Sequence, residues 1–161
     1  MRKRIACILI ALLAATASAS SVQGKHAKFR VETAHFVVEY SVPESIGSKY
    51  ATLCERGYAR LRKIFPVEAQ DPVWHGKCHV YLFASRDEFT RFATQVHGSQ
   101  KGAQSGGYTR IDRQDPEIVL FLHGRDEITL QQVVVHEMTH VFLQLFHREV
   151  QLPLWLHEGF A

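Results

Sequence analysis

The spacing of apolar positions changes several times along this chain, and each change marks an element. FRVETAHFVVEYSV, from Phe29 to Val42, is dense in β-branched and aromatic residues and predicts one long strand or a hairpin, stopped by Pro43. From Glu44 to Phe65 the apolar residues return every three or four places (Tyr50, Cys54, Gly57, Tyr58, Leu61), with Arg56, Arg60, Arg62 and Lys63 largely on the other side. That is an amphipathic helix with a solvated basic face. Pro66 and Pro72 then bracket a loop, and CHVYLF (78–83) is apolar on both faces, as a central strand should be. Ser85 with Glu88 forms a capping box that opens a helix running to about Val96. Residues 97–107 have neither period and read as the most flexible stretch. Tyr108 to Ile111 and Glu117 to Leu122 predict two strands joined by a turn at Asp112 to Pro116. Thr129 with Gln132 is a second capping box, opening the helix that contains VVVHEMTHVFLQLFH (133–147). The order is strand, helix, strand, helix, two strands, helix, helix, which predicts an α+β domain with a mixed sheet.

Composition sharpens this picture at the N-terminus. Arg2, Lys3 and Arg4, an apolar run from Ile5 to Ala15, and Ala17-Ser18-Ala19 have the layout of a secretory signal over residues 1–19. The run is too short to span a bilayer. Residues 20–28 form a loosely ordered polar lead-in, and 29–161 form the domain. The formal charge of +3 comes from those three leading cations, and without the leader basic and acidic residues balance at 16 each. A neutral domain with no block of like charge gives no footprint for nucleic acid or for an anionic membrane once the leader is removed. The expected location is therefore secreted or periplasmic. In that setting Cys54 and Cys78 are either a disulfide closing a loop of about 25 residues, which would contribute roughly 3 kcal/mol, or two buried free thiols.

The candidate chemistry lies in the most hydrophobic helix. His136 and His140 are four apart, so their rings stand on one face a turn apart and can each bring a nitrogen to a single zinc ion. Glu137 lies about 100° further round the axis, which suits it as a base beside a water rather than as a ligand. This is an HExxH arrangement, and the chain's own composition yields roughly 0.04 such matches by chance. A catalytic zinc takes three protein ligands. The histidine scheme fails, because His147 misses the required place by one residue. Glu158 meets the other scheme: it lies about 9 Å of helix rise beyond a turn at Arg148 to Gln151, as far as His140 lies before it. Glu149 is too near that turn, and His157 points about 100° away from Glu158.

His136-Glu-Met-Thr-His140 followed by Trp155-Leu-His-Glu158-Gly-Phe-Ala161 resembles the gluzincin metallopeptidases, and within them the peptidase MA-like families with WLxEGxA after the active-site helix. The resemblance covers roughly residues 129–161. It implies His136, His140 and Glu158 as zinc ligands, Glu137 as general base, peptide or protein substrates, and a zincin-like mixed sheet whose edge strand lies beside the cleft. EIVLFL (117–122) is the strand expected at that edge, and Tyr108 and His123 read as structural. The Gly-x-Met-Glu-Asn stretch that precedes the zinc helix in the M1-like aminopeptidases is absent, so aminopeptidase action is not expected. The residues that support the ligands in relatives would fall beyond Ala161, so the domain reads as incomplete at its C-terminus. An inactive zinc-binding or partner-binding remnant is accordingly the alternative function.

Overall fold

The computed structural model describes residues 27–65, 73–112, 115–124, 126–146, 153, 158–159 and 161. The leader, most of the lead-in, the Pro66 to Pro72 loop, Glu149 and His157 lie outside the described residues.

Of the two readings of the first apolar run, the chain adopts the hairpin. β1 (Phe29–Glu32) and β2 (Phe36–Tyr40) pair antiparallel with Phe29 opposite Tyr40. α1 (Glu44–Ile64) follows, its start held by the Pro43 carbonyl, which accepts from the N–H groups of Ile46 and Gly47 at 2.9 and 3.1 Å. Arg62 and Lys63 in its last turn favour the negative end of the helix dipole. The face formed by Tyr50, Cys54, Tyr58 and Leu61 is buried, as the period predicts.

β3 (Cys78–Phe83), β4 (Gly107–Asp112) and β5 (Asp115–Phe121) complete a five-stranded sheet in the order β1-β2-β3-β5-β4. The three central strands are parallel, and the two edge strands join them antiparallel. Alternation along the strands separates two cores. Val80, Leu82, Ile118 and Leu120 face α1 and α4 (Glu127–Phe146), while Tyr81, Phe83, Val119 and Phe121 face Phe89 and Phe92 of α2 (Arg86–Gln95). The described residues thus form a mixed α and β architecture with four helices and one mixed sheet.

Four expectations change. EIVLFL is not an edge: β5 lies between β3 and β4, and Ile118, Val119 and Leu120 are each 0% exposed, so an all-apolar strand has gone where both faces are covered. The edge is β4. Residues 97–107 contain a short helix, α3 (Gln100–Gln104), opened by Ser99 Oγ accepting from Gly102 N–H at 3.0 Å. Five residues are too few to show a period. α4 starts two residues before Thr129, because Asp126 Oδ1 accepts from Thr129 N–H at 2.7 Å. At α2 only half of the expected box forms. Ser85 Oγ caps Glu88 N–H, whereas the Glu88 carboxylate accepts from Ala84 N–H and the Ser41 hydroxyl at 3.1 and 2.9 Å, tying the helix start to the end of β2.

Cys54 and Cys78 are both free and both 0% exposed in the core between α1 and the sheet. The bridge does not form, and burial pushes the Cys54 thiol up to about 12.

Candidate metal centre

α4 is held by one apolar stripe, Leu130, Val134, Met138, Val141 and Phe142, all buried. Gly57 lets α1 approach it closely, since a Cβ there would lie 3.3 Å from Met138 Cε. Phe142 is clamped by Tyr58, Phe65 and Trp74, with ring centroids 5.6, 5.7 and 5.7 Å away. With the stripe fixed in this way, Val133, His136, Glu137, His140 and Gln144 turn towards a cleft of about 940 Å³ whose other wall is β4 at Gly107, Tyr108 and Thr109.

Glu158, in helical backbone beyond α4, reaches the same cleft. His136 Nε2 and His140 Nε2 are 3.1 Å apart, and the two carboxylate oxygens of Glu158 face them, Oε2 at 3.9 Å from His136 Nε2 and Oε1 at 3.9 Å from His140 Nε2. One atom from each of the three residues lies within 4.8 Å of the others, a spacing that can hold one metal ion. Donors at about 2.0–2.1 Å from a tetrahedral centre stand roughly 3.3–3.4 Å apart, so the imidazole pair needs almost no movement, while the carboxylate must swing in to bring one oxygen to that distance from both rings. Glu158 has the freedom for that, being 56% exposed in its side chain against 16% for His140. The donor set of two neutral nitrogens and one anionic oxygen suits a borderline divalent cation.

Glu137 is kept out of this set by its angle on the helix. It is 6% exposed and lies against Gly107, where a Cβ would meet its Oε1 at 3.0 Å and its Cγ at 3.3 Å. The sequence reading missed Gly107. A glycine at the start of a strand pattern signals close approach by a neighbour, and that was the available clue. His123 does not line the cleft, while Tyr108 does so from β4.

The side chain of Tyr108 belongs to the opposite face of the sheet. Its hydroxyl lies 2.9 Å from His97 Nδ1, and His97 Nε2 lies 3.2 Å from Glu117 Oε2. Arg110, opposite Glu117 in the β4–β5 ladder, places a guanidinium nitrogen 3.8 Å from the same oxygen. Burial, then the Arg110 charge, lowers the His97 pKa to about 4, so the ring is neutral at pH 7 and the Glu117 contact is not an ion pair there. Burial, then Glu117, raises the Tyr108 hydroxyl above its ordinary value. The cleft's edge strand is therefore anchored from behind by a buried polar cluster. No helix among the described residues is long and apolar enough to cross a membrane. No family model matches the chain, and no curated protein matches it.

Proposed function

We propose that this protein is a zinc-dependent peptidase of the gluzincin kind, with His136, His140 and Glu158 as metal ligands and Glu137 as general base. The observation that carries the reading is the meeting of those three donors from two separated segments, beside a buried carboxylate and an edge strand. Two histidines four apart follow from helix geometry alone, but a third donor from 18 residues further on does not. The mixed sheet with an edge strand facing the ligand helix is what a zincin-like fold requires.

A zinc ion bound there supplies Lewis acidity towards a carbonyl and brings the pKa of a water near neutrality. Glu137 takes the proton from water in the cleft and returns it to the departing amine. The wall of β4 at Gly107, Tyr108 and Thr109 offers backbone groups to an extended peptide, which adds as a further strand. Gln132 and Gln144 border the cleft as uncharged polar groups.

The test is metal content and turnover in parallel. Purified protein dialysed against zinc should retain one equivalent and hydrolyse a denatured protein substrate. Glu137→Gln should keep the zinc and lose turnover by roughly 10²- to 10⁴-fold. Full turnover in that variant rejects the base assignment, and zinc without hydrolysis in the parent favours the binding-protein alternative. The leader reading makes the site of action extracytoplasmic. N-terminal sequencing of the exported protein should begin at Ser20, and a retained Met1 refutes it.

A further inference from the structure

The cleft walls meet where Glu137 lies on β4, and this contact has a feature that the ligand geometry does not require. Gly107 is the β4 residue opposite Leu120, on the face of the sheet that carries the cleft. A Cβ there would stand 2.7 Å from Leu120 Cδ2, 3.0 Å from Glu137 Oε1 and 3.3 Å from Glu137 Cγ. The Glu137 side chain thus lies along bare backbone, in space that any other residue would fill.

The backbone at this point is held against retreat. It is laddered to β5, and the Ser105 hydroxyl sits between the Gly107 and Gly102 carbonyls at 2.5 and 2.7 Å. Ser105 in turn ends α3, whose start is capped by Ser99. Leu120 is 0% exposed and packed within the main core. When a methyl is added, the movable parts are the tips of Leu120 and Glu137, and only the second carries chemistry.

We propose that Gly107 is a positioning residue for Glu137: the missing side chain on the edge strand sets where the carboxylate lies relative to the His136, His140 and Glu158 donors. This rests on the hydrolase reading above. The carboxylate would have to move by a few tenths of an ångström, and groups transferring protons are sensitive to shifts of that size. Gly107→Ala should therefore bind zinc at one equivalent, lower kcat about tenfold and leave KM within about twofold.

The decisive experiment combines two readouts. In metal-free protein carrying ¹³C-glutamate, the Glu137 side-chain carboxyl resonance, assigned by its loss in Glu137→Gln, should move in Gly107→Ala. In the zinc-loaded protein, the kcat penalty of Gly107→Ala should shrink in a Glu137→Asp background, whose shorter side chain clears the added methyl. A merely structural role for Gly107 would give the same penalty in both backgrounds. Should Gly107→Ala fail to fold, Gly107→Ala with Leu120→Val removes the 2.7 Å conflict and keeps the one with Glu137. An unmoved resonance with unchanged kcat overturns the proposal. A parent protein that hydrolyses nothing defeats the hydrolase reading alone, and the resonance still decides the contact: a shift supports it, and no shift overturns it.

Discussion

Replacing His97 by phenylalanine should remove a stability loss that sets in between pH 7.5 and pH 5. The imidazole is 2% exposed, between Tyr108, Glu117, Phe92 and Arg110, and its pKa is about 4 against an ordinary value of 6.5. A base with a depressed folded-state pKa takes up its proton first in the unfolded chain, so stability is intact above pH 6.5 and falls as the pH drops towards 4. At pH 5 the unfolded histidine is almost fully protonated and the folded one almost entirely neutral. The difference amounts to about 2 kcal/mol relative to pH 7.5. This is an upper value, since Glu117 Oε2 at 3.2 Å favours the cation and works against the shift. The window also avoids the carboxylates held low in the fold. Glu55, where hydrogen bonds from Thr33 and His35 outweigh burial, contributes stability that is lost only as the pH falls below about 4.5. Urea denaturation at the two pH values, for parent and His97→Phe, measures the effect. The variant should be less stable by about 1 kcal/mol at pH 7.5, from the lost Tyr108 contact, and should match or exceed the parent at pH 5, because it lacks the parent's loss of about 2 kcal/mol over that window. Equal pH slopes in the two proteins would refute a buried neutral imidazole. The consequence reaches the cleft, because Tyr108 is the β4 residue that this ring holds.

Phe142→Ala, which empties a fully buried site among three aromatic rings, should cost about 3–5 kcal/mol by urea denaturation and loosen the ligand helix; a loss below 1 kcal/mol would mean that the clamp is not formed. Cys54 and Cys78 should be inert to an aromatic disulfide reagent in the folded mature protein and both react in denaturant, whereas no reactive thiol in denaturant would show a bridge. On the metal reading, zinc at 100 times its Kd should stabilise the parent by about 2.7 kcal/mol, seen as a rise in Tm, and His136→Ala should abolish the rise. An equal rise in that variant would place the metal elsewhere.

What the sequence determined was local. The run of apolar positions in α1, the two-faced apolarity of CHVYLF and the four-residue step from His136 to His140 each depend on neighbours within one or two turns, where backbone geometry settles the outcome. Glu158 could be singled out only by assuming a turn at Arg148 to Gln151, which lies outside the described residues; that its carboxylate comes to 3.9 Å from the two imidazoles is a tertiary fact. Strand order was not within reach. β4 and β5 carry similar hairpin signals, and which of them faces solvent depends on the parallel pairing of β5 with β3, a contact between segments some 38 residues apart in the register His79 to Glu117. The cap at Asp126 rather than Thr129 turned on where the preceding turn ended, because both residues have the right side-chain chemistry. Only the folded sheet could bring Gly107 against Glu137, or His97 against Tyr108 and Glu117, because such contacts arise when elements stack face to face, and no period within a single element records what will be packed across from it.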